Sequence, residues 1–307
     1  MGGFFFVWVL RHFGFRATLA TLSAAGTRAW ALFLFYPFMA LWDTASYRYC
    51  FPRALSKHLR FREIYGIRLA GEALNNVTPF IDIGGEPLKV HLLHRRLGLP
   101  VSTAASATVV ARTSILLSEA LFLVTGVVLS FRLLPLHPEH RAALVVSLAV
   151  VCAAFFAVLW AQQKEWLKRL NLEISHYYAT ERASFVRAVF FNSMGWMFGG
   201  VEMYLFCRLI DVDISMIQAV MLESLLQLVR TASFFIPGNL GVQEGGLAFF
   251  MAQLGHGPVL GVGLSLLKRC RQLVWTAAGF VLWGVYRYQE AKRGEAPYRR
   301  LEFFRKH

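Results

Sequence analysis

The stretch FFIPGNLGVQEGG, Phe234 to Gly246, decides how this chain folds. It lies inside a long apolar region, where a membrane helix would be unbroken. Instead it carries one proline, four glycines, Asn239 and Glu244. Proline lacks an amide donor and pushes the residue before it out of the helix, so Pro237 forces the backbone to unwind. Unwound backbone at membrane depth persists only where protein or water satisfies its polar groups. The stretch therefore predicts a helical hairpin with an open tip.

A second stretch has the same character. NNVTPFIDIGGEP, Asn75 to Pro87, interrupts another apolar region. Glu72 stands seven residues before Pro79 and Arg230 seven before Pro237; Glu86 and Glu244 each lie seven after. Arg112 follows Pro79 by 33 residues and Arg269 follows Pro237 by 32. This is a weak internal repeat.

The rest of the chain fixes the setting. It has 307 residues, 56% hydrophobic and only 16% charged, the composition of a polytopic membrane protein with no soluble catalytic domain. Apolar runs of about 20 residues, enough to span a hydrocarbon core of roughly 30 Å, fall at 28–51, 101–130, 141–162, 184–208 and 264–286. The broken regions are 63–97 and 214–256. The run 3–10 is too short to span. Symmetry asks for two spans before the first hairpin, so the first helix is expected to be a stub or the start to be internal.

Loop charge orients these spans. Arg53, Lys57, Arg60, Arg62 and Arg68 face one acid, Glu63, and the tail 287–307 holds seven Lys/Arg against three Glu. Lys89, Arg95 and Arg96 follow the first broken region. These segments are expected on the cytoplasmic side, and the Asp211–Asp213 turn outside. The two hairpins then open to opposite faces, the inverted-topology arrangement of many secondary transporters. The expected fold is an all-α polytopic membrane protein with two inverted repeats, 1–130 and 141–287, and a basic cytoplasmic tail, 288–307. The expected location is a bacterial cytoplasmic membrane. The net charge of +14 fits that topology and anionic lipid, and no nucleic-acid partner is expected.

The candidate substrate-binding residues cluster at the two tips, expected to meet near the midplane. They are Asn75, Asn76, Pro79, Gly84, Gly85 and Glu86 in the first, with Arg112 in the next span. In the second they are Arg230, Pro237, Gly238, Asn239, Gly241 and Glu244, with Arg269 beyond. Glycines permit close backbone approach, and new helix starts offer N–H groups to an anion. An arginine can grip a phosphate through two donors. Glu119, Glu202 and Glu223 also lie inside apolar spans, where a charge costs roughly 2.5–3.5 kcal/mol and calls for a partner. Arg112 and Glu119, like Glu223 and Arg230, are seven apart on one helix face.

Other signals are bland. Four scattered cysteines without a CxxC indicate buried thiols. His91 and His94 sit among basic residues and fit an interface better than a metal. The stretch 166–178, WLKRLNLEISHYY, has the pattern of an interfacial amphipathic helix. No catalytic residue, metal or cofactor is expected.

With these motifs in view, the chain resembles the flippase-like membrane domain of bacterial lysylphosphatidylglycerol synthetase/flippase proteins, which also occurs alone and in hopanoid-associated proteins. The N-x-x-x-P…GGE element at 75–86, Arg112 and the P-G-x-x-G-x-x-E element at 237–244 carry the likeness. It implies movement of polar-headgroup lipids between leaflets, with phosphate-bearing membrane lipids as partners. Two-domain members add a soluble aminoacyl-transfer domain; this sequence ends at His307 with a basic tail and is not expected to make lysyl-lipid. The alternatives are a membrane-embedded lipid-modifying enzyme using Glu86 or Glu244 as a base, and a non-catalytic subunit presenting lipid to a separately encoded enzyme.

Overall fold

The computed structural model describes residues 26, 33–78, 84–161, 168–234, 236 and 239–293. Among them there are eleven helices and no strand. In chain order they are α1 (Tyr36–Tyr49), α2 (Arg53–Ser56), α3 (Phe61–Val77), α4 (Gly85–Leu97), α5 (Val101–Leu133) and α6 (Pro138–Ala161). Then follow α7 (Lys168–Thr180), α8 (Arg182–Leu209), α9 (Met216–Ala232), α10 (Val242–Gln253) and α11 (Pro258–Arg293).

Over the described residues each expected span is helical, and each broken region holds a pair of shorter helices, α3/α4 and α9/α10, packed side by side. The described part of the stretch 166–178, from Lys168 on, is helical and forms α7. Pro79, Pro237, Gly238, the short first run and the tail beyond 293 lie outside the described residues.

The helix ends follow from local chemistry. Ser215 caps α9 through a reciprocal box: Gln218 N–H donates to Ser215 Oγ at 3.2 Å, and Ser215 N–H donates to Gln218 Oε1 at 2.8 Å. Gly98, at φ 71°, ends α4, its N–H on His94 O at 3.0 Å with Leu99 N–H on Leu93 O at 3.4 Å. His94 Nδ1 also lies 2.8 Å from Leu99 O, so this histidine serves the helix end.

The chain divides into two compact units, each assembled from three stretches of sequence. In the unit built from 1–39, 118–156 and 193–274, the core is Leu123, Met203, Phe206, Met221, Leu225 and Met251 with their neighbours. In the unit built from 40–117, 157–192 and 275–307, it is Ile64, Ile67, Leu92, Leu93, Ala104 and Tyr47 with theirs.

What stays outside these cores matters as much. Val146 and Val150 are each 61% exposed, Leu273 69% and Val281 68%. Only 6% of the apolar window in Pro138–Phe155 is buried. A helix apolar all round yet uncovered belongs in lipid.

Two loop assignments are corrected. Arg68 lies inside α3, where it pairs with Asp43 at 2.5 Å and with Glu72, one turn on, at 3.2 Å. Lys89 lies inside α4 and is buried. Counting charges along the sequence assigned both to loops because a paired cation inside a helix looks like a loop cation. Of the cysteines, Cys50 and Cys207 are buried, but Cys270 is exposed.

Candidate functional site

The second hairpin tip is held by a set of polar bonds. Asn239 adopts a left-handed conformation, φ 49°, which asparagine tolerates better than most residues. Its side-chain amide nitrogen faces the end of α9, 2.8 Å from Ser233 Oγ and 3.1 Å from the carbonyls of Ser233 and Arg230. It thus satisfies carbonyls that the helix end leaves open. Gly241, at φ 83°, starts α10, and its N–H donates to Glu244 Oε2 at 2.8 Å.

Glu244 is fully buried and carries the site's charge. Its Oε1 accepts from Ser265 Oγ at 3.1 Å. Arg269 reaches it from α11 as a two-pronged fork: Nε donates to Oε1, and Nη2 donates to Oε2 at 3.2 Å. The same Nη2 donates to the Asn239 carbonyl at 2.9 Å. Gln243 Nε2 donates to Ser265 Oγ at 3.0 Å and extends the set. Asn239, Gly241, Glu244 and Arg269, picked from sequence by spacing, therefore stand in one constellation. The Arg230 side chain pairs with no acid among the described residues; only its carbonyl takes part.

The first hairpin is braced differently. Gly85 N–H donates to Asn75 Oδ1 at 2.5 Å, tying the start of α4 to α3. Gly85 has to be glycine, because a Cβ there would overlap the Gly71 carbonyl and Asn75. Gly84 faces Thr78. Asn76 Nδ2 donates to Thr276 Oγ1 at 2.9 Å. Glu86 pairs with Lys89, one turn on, at 2.7 Å. Lys89 also lies 5.9 Å from the Tyr47 ring centroid. Arg112 is half-buried on α5.

A further charged cluster was only half legible. Lys268 Nζ donates to Glu223 Oε2 at 2.6 Å and to Glu202 Oε2 at 3.3 Å. Arg271 Nη1 donates to Glu202 Oε1 at 2.7 Å and lies 4.9 Å from the Tyr36 ring centroid. The sequence marks the acids as needing partners but does not single out Lys268 and Arg271. Glu223 is thus salt-bridged across helices to Lys268, correcting its seven-residue pairing with Arg230. The overlooked signal was the run KRCR, 268–271, inside an apolar span. Glu119 accepts from Gln227 Nε2 at 2.9 Å and Thr231 Oγ1 at 2.7 Å.

Apolar helices open to lipid, with ionisable groups paired inside, define a multi-pass helical membrane protein. Its family follows from comparison. The chain belongs to the lysylphosphatidylglycerol synthase transmembrane-region family, whose model matches residues 2–279. It is similar to a UPF0104 membrane protein of Methanothermobacter thermautotrophicus, 23% identical over 254 residues, covering 71% of this chain and 73% of the relative. No solved structure matches it.

Proposed function

We propose that this protein is a flippase-like transporter that moves a polar-headgroup, phosphate-bearing lipid between leaflets. The observation that carries the reading is the Arg269–Glu244 fork at the broken second hairpin. A guanidinium held in two-donor geometry beside an interrupted helix is built to exchange one oxyanion for another. A headgroup phosphate competes with Glu244 for Arg269. Glu244 takes up a proton as it is displaced, so the site keeps its net charge, and the tie from Arg269 to Asn239 loosens. Lipid binding and tip opening are coupled in this scheme. The two hairpins act as inverted halves, alternating access to the two faces.

Support comes from membership of the lysylphosphatidylglycerol synthase transmembrane-region family and from the charges positioned at the second tip. The experiment is reconstitution in vesicles with headgroup-labelled phosphatidylglycerol, followed by both leaflet exposure and lipid mass. Transport changes the exposed fraction and leaves the mass unchanged. A new lipid mass favours the lipid-modifying enzyme. No change in either contradicts transport and favours a lipid-presenting subunit.

A further inference from the structure

An open cleft of about 500 Å³ lies in the unit built from 40–117, 157–192 and 275–307, at the start of α3 and the end of α11. It is remote from the first hairpin tip: fifteen residues of α3 separate Arg62 from Val77, roughly 22 Å of helix. Arg60, Arg62 and Arg96 line it against one acid, Glu63, while Leu282 and Val285 give it an apolar side. The first turn of α3 adds the positive end of a helix dipole.

Arg96 is the telling residue. Its guanidinium lies over Tyr286, 3.8 Å from the ring centroid, and its Nη1 donates to Gln289 Oε1 at 3.1 Å. Its Nε is buried and meets no acceptor among the described residues. A buried donor left unmatched is costly, so such a group marks a place for an acceptor from outside the chain. Tyr286 holds the arginine in this pose and packs so close to α3 that a Cβ at Gly66 would overlap its hydroxyl.

We propose that this cleft is a resident site for an anionic phospholipid. Its phosphodiester is bound by Arg96, Arg62 and Arg60, and the first carbons of its acyl chains lie along Leu282 and Val285. Loop charge puts this end of the helices at the cytoplasmic interface, the side where basic pockets between helices meet anionic headgroups. A soluble phosphate would use the same arginines but not the apolar wall. The site is separate from the transport reading, and its lipid stays bound.

The test uses the full chain in phosphatidylcholine nanodiscs holding a small fraction of spin-labelled phosphatidylglycerol. The readout is the motionally restricted fraction of label. Arg62→Gln and Arg96→Gln are each expected to lower relative association about fivefold, the weight of one interfacial basic residue. Arg182→Gln, at an exposed arginine elsewhere, is expected to leave it unchanged. Arg62 is itself exposed, so its variant keeps the test open if Arg96→Gln does not fold. Wild-type association in both cleft variants overturns the proposal, as does an equal loss with Arg182→Gln. Displacement of the label by glycerol phosphate in the bulk also overturns it, because the ligand is then soluble phosphate.

Discussion

Replacing Lys268 with methionine isolates the energetics of the buried charge cluster. Lys268 is 3% exposed, Glu202 0% and Glu223 8%. Lys268 and Arg271 balance the two carboxylates, so the wild-type cluster is neutral as a set. Methionine keeps most of the side-chain length and removes the charge. Glu202 retains Arg271 at 2.7 Å, but Glu223 loses its ion-pair partner at 2.6 Å. Leaving one buried charge unpaired costs about 3–5 kcal/mol. At roughly 2 °C per kcal/mol for a long chain, the melting temperature should fall by about 6–10 °C. The assay is thermal unfolding in detergent, followed by intrinsic fluorescence. Adding Glu223→Gln removes the stranded charge, and the double variant should recover at least half of the loss. An unchanged Tm in Lys268→Met, or a double variant no more stable than the single, refutes the reasoning.

Other substitutions probe the hairpins. Gly85→Ala pushes a methyl into the Gly71 carbonyl and should cost about 1–3 kcal/mol of stability, seen as a lower Tm. Gly241→Ala leaves Glu244 in place but strains φ 83°, and should cost roughly 1–2 kcal/mol in the same measurement. Asn75→Leu strips the acceptor from the Gly85 amide and should cost about 1–3 kcal/mol, with faster amide exchange at Gly85. Arg208→Gln breaks a pair whose Asp213 side chain is 84% exposed; it should leave the Tm at the wild-type value.

The long apolar spans were legible because hydrocarbon thickness fixes helix length, and the breaks between α3 and α4 and between α9 and α10 because glycine and proline runs do not sustain a helix. The second tip was legible for a related reason. Glu244 and Arg269 are charges in apolar surroundings, and each needs the other. Partners across helices were less so. Nothing local says that Glu223 bonds Lys268, 45 residues away, rather than Arg230 on its own helix face. Lys89 and Arg68 were misplaced for the converse reason: a cation paired one turn away leaves no mark of burial in sequence. The Asn75–Gly85 bond likewise depends on the antiparallel register of α3 and α4, which emerges only when the helices pack.

The central claim is that the Arg269–Glu244 pair handles lipid rather than only holding the tip. The double variant Glu244→Gln/Arg269→Gln tests it most directly. It removes both charges together, so no buried ion is stranded and the fold should persist. The measurement is the rate at which headgroup-labelled phosphatidylglycerol changes leaflet in vesicles, with Tm as the check on folding. Losing a charged hydrogen bond to the phosphate, about 1.5–3 kcal/mol, should slow transfer roughly ten- to a hundredfold at near wild-type Tm. Wild-type transfer by a folded double variant would contradict the account and leave the pair as a structural clasp.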